Sequence, residues 1–280
     1  MPVDKFLPFI EHLAELRKRL IIIITAVVIG MGVAWNISDE ILEFIQKPLT
    51  GRTYLSDLKV KAYRELKERW PALSGRFEMD GKPAARIADR KLYYSAPLEA
   101  FFVQCKIALV AGFLLALPLL FHQVWRFVSP GLTERERRLT LPFVTSATFS
   151  FCVGAAFFLL LIWPVIISFT LSYETPGLQS WFTISNYVNF CLRLILVFGL
   201  IFELPVLTLV LARFGIVTGR RMAGWRKYAV LASAVIAAFH ADLITMVVIM
   251  IPLYLMYEVS VWVAYLFGKT RAGEGSARVQ

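Results

Sequence analysis

Charge is what this 280-residue sequence has little of. Asp, Glu, Lys and Arg make up 18% of it, where soluble domains average about 25%. The shortage is uneven, and residues 139–173 contain no charge at all. That pattern excludes a disordered chain, a nucleic-acid-binding domain and most soluble enzymes. Cysteine is also scarce. Cys105, Cys152 and Cys191 all lie in apolar stretches with no CxxC spacing, so neither a disulfide framework nor a zinc site is expected. No HExxH, phosphate loop or metal-ligand spacing occurs, and His12, His122 and His240 are scattered. These absences point to no metal, no cofactor and no catalytic chemistry. A cleavable signal peptide is not expected either, because the first apolar run follows a charged amphipathic segment and lacks a small-residue cleavage site.

What is present is apolar. Hydrophobic residues are 58% of the chain and the mean hydropathy is +0.64, values that point to an all-α integral membrane protein. Six segments read as spans: Leu20 to Trp35, about Pro97 to Trp125, Leu139 to Tyr173, about Tyr187 to Ala212, Tyr228 to Ala241, and Leu243 to about Phe267. The third exceeds one perpendicular crossing, so it must tilt, kink at Pro164 or project from the bilayer. The fifth has 14 uncharged residues, roughly 21 Å of helix. It is short for a 30 Å core, so neighbours extend it, the bilayer thins, or it forms a re-entrant hairpin.

Lys and Arg total 30 against 20 Asp and Glu. The excess lies in short connections: Arg17-Lys18-Arg19, Arg126 with Arg135 to Arg138, Arg213 to Lys227, and the tail from Lys269. The positive-inside rule then puts both termini in the cytoplasm, facing anionic lipid. Residues 1–19 read as a cytoplasmic amphipathic segment that turns into span one, 20–267 as the six-span domain, and 268–280 as a disordered cytoplasmic tail. Within the membrane domain, residues 36–94 form a long outer loop. Leu58, Ala62, Leu66 and Trp70, stopped by Pro71, predict a helix near 55–70.

Four acids stand out. Glu15 lies on the polar face of the N-terminal segment, where the bland reading is an i,i+4 pair with Arg19. Glu136 follows Thr133 by three residues, the spacing of a capping box. The functional alternative is that both leave carboxylates on the cytoplasmic face, where planar guanidinium groups of an arriving peptide pair with them. Glu203 lies inside the fourth span, two residues before Pro205, which frees the carbonyl of Ile201. A protonated acid bonded to backbone and a functional group are equally open there. Asp242, in the turn His240-Ala241-Asp242, reads as a turn or cap residue.

The stretch His12-Leu13-Ala14-Glu15-Leu16-Arg17-Lys18-Arg19-Leu20 resembles the N-terminal motif of the TatC family, the receptor subunit of the twin-arginine protein translocase. Trp125-Arg126-Phe127-Val128-Ser129-Pro130-Gly131-Leu132, then Glu136-Arg137-Arg138, resembles its first cytoplasmic loop. Phe202-Glu203-Leu204-Pro205 resembles its fourth span, and Pro48 matches a proline of its first outer loop. The resemblance implies six spans in a concave arrangement in the inner membrane. It implies recognition of paired-arginine signal peptides on folded cargo by Glu15, Phe127 and Glu136 with Arg17 nearby. It also implies assembly with single-span TatA and TatB and with other copies of itself, and export driven by the proton gradient without a nucleotide. Glu203 and Thr245 would be intramembrane polar or partner-binding groups, and Pro48, Pro205 and Asp242 structural ones. The chain departs from the family in having His240-Ala241 where Pro-Pro is common and Met246 where a glutamine is common. A proton-coupled small-solute transporter using Glu203 is the alternative reading.

Overall fold

The computed structural model describes residues 9–50, 92–128, 140–172, 174, 180–238 and 243–268. Nine α-helices occur among them: α1 (Phe9–Trp35), α2 (Ser38–Gln46), α3 (Glu99–Val128), α4 (Thr140–Phe157), α5 (Trp163–Ser172), α6 (Ile184–Arg213), α7 (Gly219–Gly224), α8 (Arg226–Ala238) and α9 (Leu243–Phe267). A 3-10 turn, Lys47–Thr50, follows α2, and a π turn, Phe158–Ile162, joins α4 to α5. The fold is all-α. The described residues hold no strand, only an isolated parallel bridge between Tyr93 and Thr183. Among the described residues, five stretches are long and apolar enough to cross a membrane: Leu13–Trp35, Glu99–Phe127, Thr140–Ser172, Ile184–Arg213 and Met246–Phe267.

The fifth expected span corresponds to α8, whose 13 residues give about 20 Å of helix. The loop before it contains the short α7, started by Thr218, whose hydroxyl accepts from Arg221 N–H. The amphipathic segment and span one form a single helix, α1, with no break between residues 19 and 20. The expected turn between them is absent because no Gly or Pro interrupts Phe9–Ile29. Of the alternatives for the long third span (tilt, a kink at Pro164, or projection), the helix shows an irregularity just before Pro164. Pro164 has no N–H for a carbonyl four residues back, and the π turn at Phe158–Ile162 shifts the ladder where that bond is lost. The helix expected near 55–70 lies outside the described residues.

Two compact units divide the chain. One comprises residues 27–115 and 156–195. Its centre is Trp163, 1% exposed, with Tyr187, Phe190 and Phe158 rings around it at 4.8–5.9 Å. Trp163 Nε1 and Tyr187 OH both donate to the carbonyl of Ile45, at 3.0 and 2.9 Å. That carbonyl belongs to the last turn of α2, where the helix offers no partner of its own. Leu49, buried in the 3-10 turn beside Pro48, packs the same turn against α5. The carboxylate of Glu99 accepts from Ser95 N–H at 2.6 Å, from Ala96 N–H at 3.3 Å and from Ser185 N–H at 3.1 Å. One acid thus caps the starts of both α3 and α6. In the same unit, α1 and α3 meet at backbone distance. A Cβ on Gly30 would sit 2.6 Å from the Gly112 carbonyl oxygen, so small residues permit the crossing.

The other unit comprises residues 1–26, 116–155 and 196–280. α4 and α6 approach closely at Gly154, against Phe198 and Phe202, and at Gly199, against Phe151. α6 ends at Gly215, whose φ of 72° closes a Schellman turn through Ile216 N–H to the Leu211 carbonyl at 3.0 Å. α7 and α8 both pack on α9. Arg226 holds Glu258 through two nitrogens at 2.9 and 3.0 Å, and Tyr254 OH donates to the same carboxylate at 2.6 Å. Glu258 lies inside the last helix, and its partner is the first residue of α8.

Candidate functional site

On α1, Glu15, Arg19 and Ile22 recur at intervals of four and three and so share one face, with Lys18 beside them. On α3, Gln123 and Arg126 are three apart at the C-terminal end. Together with Ala14 these side chains line a pocket of about 400 Å³. Its floor is ionic. Arg19 Nη2 pairs with a Glu15 oxygen, and Arg19 Nη1 donates to the Gln123 carbonyl at 3.4 Å. The Arg19 side chain is only 11% exposed, whereas that of Glu15 is 39% exposed. The third nitrogen, Arg19 Nε, is buried with no partner among the described residues. A buried donor left unmade is costly, by about 1–3 kcal/mol.

Arg19, Lys18 and Arg126 surround one accessible carboxylate with three cations. The pair expected from the i,i+4 spacing is present. So is a cavity in front of it, large enough for a side chain from another molecule. Arg17 is exposed and belongs to a different face of α1, two residues from Glu15. Phe127 follows Arg126 at the end of α3 and is half-buried. Glu136 and its capping box lie outside the described residues. Gln123 and Arg126 carry no motif of their own. Their signal is the i,i+3 register at the end of an apolar span, which becomes informative only once α3 is known to face α1.

Glu203 is half-buried in α6, and its Oε1 is enclosed without a hydrogen-bond partner among the described residues. The hydroxyl that reaches this stretch is Ser150, which donates to the Phe202 carbonyl at 2.5 Å. Pro205 lies inside α6 without ending it. Thr245 belongs to α9, but its side chain, like all of Asp242, lies outside the described residues. Pro48 lies in the 3-10 turn, half-buried.

Comparison with known proteins fixes the family. Residues 11–252 match the family model described as TatC, Sec-independent protein translocase protein. The Sec-independent protein translocase protein TatC of Koribacter versatilis is 34% identical over 267 residues, 94% of this chain and 86% of the relative. That of Aquifex aeolicus is 31% identical over 263 residues, 93% of this chain and 95% of the relative. The crystal structure of the twin-arginine translocase receptor TatC is 29% identical and superposes with a TM-score of 0.69, covering 90% of this chain and 97% of that one. A second crystal structure of that receptor, in DDM, gives 0.70. An ionic pocket at the end of apolar helices, on a chain that matches one translocase family over nearly its whole length, identifies this multi-pass membrane protein as a member of the TatC family, a core subunit of the twin-arginine translocase.

Proposed function

We propose that the pocket before Glu15 is where the paired arginines of a signal peptide dock, in the inner membrane, with the pocket and both chain termini on the cytoplasmic side. The observation that carries this reading is the half-exposed Glu15 carboxylate at the wall of a 400 Å³ cavity. A guanidinium presents two parallel N–H groups to a carboxylate, and a site partly shielded from water strengthens such a pair. One arginine engages Glu15, the second engages Glu136, and Phe127 offers a ring face to a guanidinium plane. Arg17 contributes from the rim.

The rest of the assignment follows the same logic. The short α8 serves as a fifth span and completes six crossings with the five long ones. Residues 36–94 lie outside the cytoplasm. Glu203, whose Oε1 has no hydrogen-bond partner among the described residues, and Thr245 receive polar groups of single-span partners of the TatA and TatB kind. The chain assembles with these and with further copies of itself, surrounded by membrane lipid. It translocates folded cargo on the proton gradient, with neither nucleotide nor bond-making chemistry.

The deciding experiment measures capture of a fluorescent peptide with two adjacent arginines by the full chain in nanodiscs. Glu15→Gln should reduce affinity at least tenfold while the protein inserts and melts normally. Unchanged capture in that variant defeats the assignment.

A further inference from the structure

We propose that Arg19 is a built-in competitor for the peptide, a resident guanidinium that occupies Glu15 until a signal peptide displaces it. The inference rests on the reading of Glu15 as the peptide's docking acid. Its basis is geometric. Arg19 already supplies Glu15 with the chemical group that the ligand would bring. It does so from within the pocket, as a lining residue.

The resident is held incompletely. Of its three nitrogens, one pairs with Glu15, one makes a long 3.4 Å bond to the Gln123 carbonyl, and Nε has no partner among the described residues. A purely structural arginine at 11% exposure would be expected to satisfy all its nitrogens. This one is positioned to leave. Its long stem allows the head to swing toward Gln123 and the cytoplasmic water while the chain stays anchored on α1.

The consequence is a threshold. Every ligand that takes Glu15 must first break the same internal pair, so the cost is common to all. A peptide with one guanidinium regains about what it removed, and the entropy of association is left uncompensated. A peptide with two regains the pair and adds a second contact. Arg19 thereby keeps single arginines, common on any cytoplasmic protein, from filling the site, by competing for Glu15. It sets an affinity threshold through Glu15 and leaves the ratio between double- and single-arginine peptides to the second contact.

The test is Arg19→Gln in the full chain in nanodiscs, with three fluorescent peptides carrying Arg-Arg, Arg-Gln or Gln-Gln before one apolar segment. Removing the competitor should tighten Arg-Arg and Arg-Gln peptides by the same factor, roughly three- to tenfold given the range of partly exposed ion pairs, and leave Gln-Gln unchanged. Salt supplies a second readout. In the native protein, salt screens the ligand and the competitor together. In the variant the paired competitor is gone and only the other lining cations, Lys18 and Arg126, remain, so affinity should fall more steeply with ionic strength. Arg19→Lys keeps a resident cation without the planar fork and should fall between the two. Weaker or unchanged Arg-Arg binding in Arg19→Gln overturns the inference and would make Arg19 a support for Glu15. The docking assignment fails separately, if Glu15→Gln binds as the native protein does.

Discussion

Two acids, one in each compact unit, show how differently a carboxylate can be used. Glu99 accepts from the backbone N–H groups of Ser95, Ala96 and Ser185. Ser185 belongs to the first turn of α6 and Ser95 and Ala96 to the turn just before α3, so these backbone donors cannot swing away as a side chain can. Glu15 is paired with a side chain, and Arg19 can rotate away on a flexible stem. Both carboxylates are engaged, Glu99 by backbone and Glu15 by a side chain. Docking at Glu15 is therefore proposed from its side-chain partner and the cavity of about 400 Å³ in front of it, and not from the lack of a partner.

The unit around Trp163 should be the harder to disturb and the more damaging when broken. Trp163→Ala deletes a side chain that is 1% exposed and a donor to Ile45. It should lower stability by about 3–5 kcal/mol, read as loss of cooperative melting in detergent, and a small change would show that α2 is held elsewhere. Glu15→Gln should act oppositely, leaving the melting temperature within a degree or so and reducing arginine-peptide affinity at least tenfold. Glu99→Gln is the control that sharpens the contrast. Losing a charged double cap should lower the melting temperature, with no change in the peptide's affinity once corrected for folded fraction. If Glu99→Gln weakens the peptide as much as Glu15→Gln does, the distinction between the two acids is wrong. The smallest effect is expected at Arg226→Gln, which breaks a half-exposed pair with Glu258. It should lower the melting temperature only slightly, since solvent screens the pair, and leave peptide capture intact.

Hydropathy made the long crossings legible, because an apolar run with no charge has few alternatives to a membrane helix. The ends moved by a few residues, as with α6 at Ile184–Arg213 against an expected start at Tyr187. The Glu15–Arg19 pair was legible too, since i,i+4 spacing on a helix fixes a neighbour. Two features were not. The continuity of α1 through residues 19 and 20 was hidden by a sharp change of composition from charged to apolar, which altered the helix's surroundings without altering its backbone. Gln123 and Arg126 were hidden because nothing in their spacing says which helix they face.

Local chemistry along the chain therefore determined the all-helical class, the apolar crossings, the basic connections and the acids worth attention, all of which depend on neighbours a few residues apart. Tertiary structure decided which acid meets an arginine beside an open cavity and which is sealed by backbone. It also decided that the Ile45 carbonyl would receive Trp163 and Tyr187, from 118 and 142 residues away. Such pairings depend on which faces of distant helices come together, and helical periodicity specifies a face without naming its partner.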